Sequence, residues 1–309
     1  MSKYMTEYQF KQTELITKLK DLGNWIEGFD KNELNKFVEN ISELKFTSPN
    51  KDDVFNAFKI GEDDSIINPE DVRILILGQD PYPDKDDKRV DVYGKRAHGL
   101  AFSFANSNGE IEPADDSLLN IFKAIKHYNK HKTKSIDEWN TNLTKWASNN
   151  QILLLNTALT YKQEENHFGV WKPIVTQIIC NLIKNKSNKG NLAIFLWGEH
   201  AQNIFFQSLN KLNENGSYDK EIENLKKNIK QVELNKRSKN KKINKLNETI
   251  RNNNEIKIFG EIAIYLTNHP SQISENNNGR FIEFSKSHFE ACDKYLGKDI
   301  WKNFPVNNE

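Results

Sequence analysis

The segment Val72–Pro83, VRILILGQDPYP, constrains the fold more than any other part of the chain. Ile74, Leu75, Ile76 and Leu77 form a short continuous apolar run, and Gly78 breaks it. A run this short, β-branched and closed by glycine suits a strand over 72–77, buried on both faces as in a parallel sheet. Open α/β sheets bind ligands just beyond the carboxyl ends of their strands. Asp80 then stands at the mouth of the sheet, with Pro81 stiffening the turn and Tyr82 walling the carboxylate. Taken alone, these residues fit an ordinary strand-ending turn better, because Gly, Asp and Pro are common turn formers.

The pattern recurs. Ile152–Asn156, Leu192–Gly198 and Ile262–Leu266 are further apolar runs, the last leading into Thr267-Asn268-His269-Pro270-Ser271. Helical periodicity over Trp171–Ile183 and a helix near Ser117, running through Leu118–Ile125, separate them. Residues 1–45 predict two or three helices packed beside the sheet, and Asn50–Phe58 predicts a helix start with acidic residues in its first turn. Strands alternating with helices indicate a parallel α/β sheet. Four strand ends then bring Asp80, Asn156, Gly198 and His269 to one edge. Several polar residues converging on one edge favour a site. Residues 83–97, PDKDDKRVDVYGKRA, are charged and aperiodic, and read as a loop on that ligand side.

Size and composition narrow the class. The 309 residues suffice for one large α/β domain or two smaller ones, and 37% hydrophobic with 28% charged residues can build a core. No run approaches the roughly 18 apolar residues of a membrane span, and the first residues lack a secretory apolar core. Cys180 and Cys292 lie far apart without metal-ligand spacing, and read as buried thiols in a reducing compartment. A soluble, monomeric, cytoplasmic protein is expected, nuclear if the host is eukaryotic. The net charge of +1 neither demands nor excludes nucleic acid, since gripping a few phosphates needs a shaped site more than a basic surface.

Residues 213–257 differ from the rest. Ile222, Leu225, Ile229 and Val232, then Ile243, Leu246 and Ile250, follow helical spacing on either side of a tip, 236–245, with six Lys or Arg in ten residues. This reads as an inserted antiparallel helical hairpin emerging away from the strand carboxyl ends. It is either a solvated decoration or an arm for a protein partner or distant phosphates.

The segments GQDPYP (78–83), AHGLAFSF (97–104), LLLNTALT (153–160), FLWGEHAQ (195–202) and HPSQIS (269–274) occur in the order of the uracil-DNA glycosylase motifs. The chain resembles a divergent family-1 enzyme over about residues 50–212 and 258 onward. That resemblance implies a single α/β domain over 1–309, with a four-stranded, mostly parallel sheet flanked by helices. It implies hydrolysis of the N-glycosidic bond of a flipped-out uracil in DNA, using neither metal nor organic cofactor. Asp80 matches the catalytic aspartate and His269 the histidine that stabilises the departing base as an oxyanion hole does. Phe102 matches the aromatic that stacks on uracil, and Asn156 the amide that reads its Watson–Crick edge. Tyr82 matches the residue that excludes thymine's methyl, and Gln79 one whose backbone contacts the base. Ser117, Ser271 and Ser274 match hydroxyls that pinch DNA phosphates, and Ile273 falls where an apolar wedge fills the vacated stack.

The departures cluster around DNA and base handling. Pro83 stands where the family has histidine, and offers neither a side-chain donor nor an N–H. The following loop adds Asp84, Asp86 and Asp87, and the proline-rich loop is reduced to Pro113–Ser117 with Asp115 and Asp116 added. Glu199 replaces a small phosphate contact, and Gln272 a proline within the wedge motif. Three readings stay open: a uracil-DNA glycosylase tolerant of a less pinched duplex, a glycosylase for a modified pyrimidine of viral DNA, and a weakly catalytic binding relative working through the basic hairpin.

Overall fold

A computed structural model of the chain describes residues 6–60, 65–84, 87–129, 135–186, 190–213, 223, 256–258, 262–271 and 275–304. Its centre is a sheet of strands β1 (Ile74–Gly78), β2 (Ile152–Asn156), β3 (Leu192–Trp197), β4 (Ile256–Ile258) and β5 (Ile262–Thr267). The spatial order is β2-β1-β3-β5-β4. β1 pairs in parallel with β2 and β3, and β3 in parallel with β5. The four expected strands thus form the parallel sheet, and every residue of β1, β2 and β3 is buried. Burying each large aliphatic side chain of β1 contributes about 1.5–3 kcal/mol, so a charge at Leu75 would break the sheet at its middle.

The structure adds one edge strand. β4 runs antiparallel to β5, with Ile256 opposite Ile264 and Ile258 opposite Ile262. Its three residues, Ile-Lys-Ile, are too short to stand out beside the charged sequence that precedes them. The anticipated hairpin, 213–257, lies outside the described residues apart from Asn213, Glu223, Ile256 and Lys257. Helix α7 (Glu199–Leu212) follows β3 and runs back, whereas β4 comes in beside the middle of β5 and heads toward that strand's amino end.

Both sheet faces are covered. Helices α1 (Gln12–Asp21) and α2 (Lys31–Glu43) form the expected N-terminal layer, and α2 packs on α6 (His167–Lys186), which packs on α7. Phe37 meets Trp171 edge-on with ring centroids 5.6 Å apart. On the other face α4 (Asp116–Tyr128) pairs with α8 (Glu275–Leu296). Phe289 of α8 lies 5.9 Å from the Phe195 ring of β3 and stacks on Trp301 at 4.0 Å. A short α5 (Thr144–Asn150) leads into β2 through Gln151, which takes a left-handed conformation. Cys180 and Cys292 are both buried and in no disulfide, matching the expected buried thiols. No helix among the described residues is long and apolar enough to cross a membrane.

Two local expectations change. Asn50–Phe58 forms two 3-10 turns, Lys51–Asp53 and Asn56–Phe58, rather than the start of an α-helix. The Asn50 and Asn56 amides bond the Asp53 carboxylate, and Asn56 also bonds the His98 carbonyl, local bonds that compete with a helical ladder. Residues 83–97 are not all loop: Asp87–Tyr93 is a helix, α3. Its Arg89 finds an ion-pair partner at Glu112, well along the chain, which no local periodicity reveals. Ser117 lies near the start of α4, as expected, and Asp115 is its cap, accepting a hydrogen bond from the Leu118 N–H at 3.4 Å.

Candidate active site

From β1 the chain crosses to β2 on one side, whereas from β3 it crosses to β5 on the other. Neighbouring strands whose connections leave in opposite directions open a crevice at their carboxyl ends. Here the crevice lies between β1 and β3, with the ends of β2 and β5 flanking it.

Gly78 and Asn156 are register partners at the ends of β1 and β2. The Asn156 side chain, 3% exposed, lies across Gly78: a Cβ there would collide with Asn156 Oδ1 and come within 2.7 Å of the Ala101 Cβ. Glycine is therefore required by close approach. Beyond it, the Gln79 carbonyl accepts from the Ala158 N–H at 2.9 Å and the Thr157 hydroxyl at 2.8 Å. These bonds hold the backbone from which the half-buried Asp80 projects. Burial, and secondarily the charge of Asp80, raise the pKa of Tyr161, so the carboxylate's field reaches that phenol.

At the other flank, Gly198 ends β3 with φ +91° and bonds the Thr267 carbonyl at 2.9 Å. A Cβ at Gly198 would approach the His269 Cβ to 2.8 Å. The Phe102 ring lies 6.3 Å from the His269 ring and 5.6 Å from Trp197. Phe102, 9% exposed, holds the left-handed φ of 61°, a conformation costing a non-glycine residue about 1 kcal/mol or more. Backbone strain of this kind collects at sites where a side chain must be aimed.

His269 has a defined donor side. Its Nδ1 accepts the Ser271 N–H at 3.1 Å, with the Ser271 hydroxyl 2.7 Å away. A neutral ring accepting at Nδ1 carries its proton on Nε2. Burial, then the nearby His200, lower its pKa to about 4, so the ring is neutral at pH 7. Asn120 of α4 steadies the same loop by donating to the Pro270 carbonyl at 2.7 Å.

Tyr82 sits on the charged side of the mouth. Its ring centroid is 4.7 Å from that of Phe104, and its hydroxyl donates to Asp115 Oδ1 at 3.3 Å. Ser48 donates to the Tyr82 carbonyl at 2.7 Å. The Arg96 guanidinium stands 5.0 Å from the Tyr82 ring centre and 4.6 Å from that of Phe104. It pairs through Nε with Glu112 at 2.9 Å and through Nη2 with Asp115 at 3.5 Å. Arg89 reaches the same Glu112 at 3.0 Å. Burial, and then the charge of Asp115, raise the Tyr82 pKa well above its ordinary value, keeping the phenol protonated.

The family model of the Uracil DNA glycosylase superfamily matches residues 65–297. The chain belongs to the uracil DNA glycosylase superfamily. Among curated relatives, the uracil-DNA glycosylase of Mannheimia succiniciproducens is 38% identical over 158 residues, 50% of this chain and 58% of that protein. That of Chlamydia abortus is 33% identical over 184 residues, 58% of this chain and 68% of that protein. The chain thus spans about three fifths of the length of the first of these relatives. The crystal structure of mimivirus uracil-DNA glycosylase superposes with a TM-score of 0.58, at 17% identity, over 95% of this chain and 90% of that one. That likeness shows a shared fold.

For this uracil DNA glycosylase superfamily member, the residues anticipated from sequence sort into two groups. Gln79, Asp80, Tyr82, Phe102, Asn156, His269 and Ser271 lie on strand ends or loops along the carboxyl edge of the sheet. Ser117 lies on the first turn of α4, between Asp115, which meets Tyr82, and Asn120, which meets Pro270. Ile273 and Ser274, with Gln272, lie outside the described residues. Sequence reasoning missed Ser48, Arg96, Asn120 and His200. Ser48 and Asn120 act through the backbone of distant loops, which leaves no local signal. His200 lay within the FLWGEHAQ segment and Arg96 immediately before AHGLAFSF, so both were within reach.

Proposed function

We propose that the protein hydrolyses the N-glycosidic bond of a uracil flipped out of DNA, leaving an abasic site as the first step of base excision repair. The observation that carries this reading is the neutral His269, with Nδ1 occupied by the Ser271 N–H and Nε2–H left to donate, beside the strained Phe102. Cleavage of the C1′–N1 bond leaves positive charge on the sugar and negative charge on the base. The Nε2–H of His269 stabilises the anion at the uracil carbonyl, as an oxyanion hole does. Asp80 orients the attacking water and stabilises the cationic sugar; as the water oxygen bonds C1′, Asp80 takes its released proton, which then neutralises the base anion. Phe102 stacks on the base and the Asn156 amide pairs with its N3–H and O4. Gln79 contributes backbone contacts, and Tyr82 stands against carbon 5.

Ser117, Ser271 and Ser274 hold phosphates, and Ile273 fills the gap left by the extruded base. Pro83 and Glu199 remove contacts that would pinch a duplex, which favours single-stranded DNA as substrate. The bonded and charge-packed Tyr82 counts against a pyrimidine bearing a bulky 5-substituent. Residues 213–257 serve as an arm for a protein partner or distant phosphates, dispensable for base release.

The test is release of uracil from single- and double-stranded oligonucleotides by the purified protein. Asp80→Asn is expected to slow release at least about 100-fold. Failure of the wild-type protein to free uracil from either strand form overturns the reading.

A further inference from the structure

We propose that Arg96 is a specificity-determining positioning residue, which fixes the Tyr82 ring in place against carbon 5 of the base and so sets discrimination between uracil and 5-substituted uracils. This rests on the reading of the site given above and adds to it a residue that touches neither base nor sugar.

The guanidinium lies between two aromatic rings and two carboxylates. Its flat face lies over two aromatic rings, 5.0 Å from Tyr82 and 4.6 Å from Phe104. Its edges meet two carboxylates, Glu112 at 2.9 Å and Asp115 at 3.5 Å, and its side chain is 11% exposed. Glu112 is 1% exposed and is shared with Arg89, so it stays where it is when Arg96 moves. The Arg96 backbone is fixed as well: its N–H donates to Asp84 at 3.1 Å and its carbonyl accepts from Ala105 at 2.8 Å. Asp115 closes the circuit, because the carboxylate that pairs with Arg96 also accepts the Tyr82 hydroxyl at 3.3 Å and caps α4. Tyr82 is thereby gripped at its face by a cation and at its hydroxyl by an anion, and the two grips are themselves paired.

The chemistry of arginine suits this task. A planar, permanently charged fork stacks on a ring and pairs with carboxylates at once, whereas lysine offers a point charge on a flexible stem. A phenol ring that can swivel leaves room for a methyl group; a ring that cannot swivel rejects it. Discrimination against one methyl by fit alone spans about 10- to 200-fold, so a loosened wall has a measurable margin to lose.

The experiment compares kcat/KM for uracil and for thymine at the same position of otherwise identical single-stranded oligonucleotides. For Arg96→Met, the thymine-to-uracil ratio is expected to rise about tenfold. Arg96→Lys is expected to fall between Met and the native arginine. Asp115→Asn keeps the volume and an oxygen to cap α4, and is expected to shift the ratio the same way by less. Circular dichroism melting establishes that each variant is folded, and Asp115→Asn carries the test if Arg96→Met does not fold. Folded variants that lose activity on both substrates equally, leaving the ratio unchanged, overturn the proposal and reduce Arg96 to a packing residue. A wild-type protein that frees no uracil is recognised before any variant is assayed, and it overturns the functional reading together with this one.

Discussion

The two sides of the sheet's mouth are built on different physics. The side holding Asn156, Phe102 and His269 is uncharged. It is fixed by glycine close approaches at Gly78 and Gly198, by backbone bonds to Gln79, and by a neutral imidazole. The side holding Tyr82 is a knot of ions, in which Arg96 and Arg89 share Glu112, and Arg96 also reaches Asp115. Steric fixing tolerates no added atom but is indifferent to salt. Ionic fixing tolerates changes of shape but fails when one partner loses its charge, because the other is left buried and unpaired. Under the proposed function, the uncharged side would orient the base and the ionic side would brace the Tyr82 wall.

Breaking the uncharged side should have the largest effect. Gly78→Ala forces Asn156 off its position, and a displacement of about 1 Å costs about 100-fold in rate. Overpacking should also lower stability by about 1–3 kcal/mol. Single-turnover kinetics and a urea melt check both. Acid should act next, through buried histidines of which His269 lies on that side. His269 and His98 titrate at about 4 and His288 at about 3, each lowered chiefly by burial, against 6.5 for an ordinary histidine. Between pH 6.5 and about 4 the unfolded chain binds more protons than the folded one. Stability should therefore fall on acidification by about 1.4 kcal/mol per pH unit for each fully titrating group, and stay flat with respect to these residues above pH 7. Excision that depends on a neutral His269 should decline only near pH 4, as a pH–rate profile would record.

Cutting the ionic side tests the other half of the contrast. Glu112→Gln should lower stability by about 2 kcal/mol, less than the roughly 3–5 kcal/mol for a wholly buried pair, because Arg89 is partly solvated. Melts at several salt concentrations would measure it. Ser48→Ala removes only the bond to the Tyr82 carbonyl and should have the smallest effect, about 1 kcal/mol by the same melts. Should Ser48→Ala prove worse than Glu112→Gln, the wall behind the base is braced from the N-terminal layer and not by ions.

The same contrast governs what could be read from the sequence. The uncharged side consists of apolar strands ending in polar residues, and each strand announces itself locally. Ile74–Leu77 with Gly78, and Leu153–Asn156, lie where the periodicity put them. The ionic side is non-local. Arg96 meets Glu112 and Asp115, and Arg89 meets Glu112, across a stretch that reads as charged and featureless, so α3 looked like loop. Asp115 and Ser117 are both good caps, and only the extended backbone at Asp115 decides between them. β4 is three residues long, and its partner is fixed by the sheet and not by its own composition. The histidine tautomer depends on one N–H two residues downstream, a detail of loop geometry that no spacing encodes.

The strand order has a consequence for the chain as it is made. β1 and β2, which contribute the carboxylate and the amide, are synthesised well before β5, which lies on the far side of β3 and leads into His269. Under the proposed function, a chain ending before β5 carries Asp80 and Asn156 but lacks His269, the donor that would stabilise the departing base.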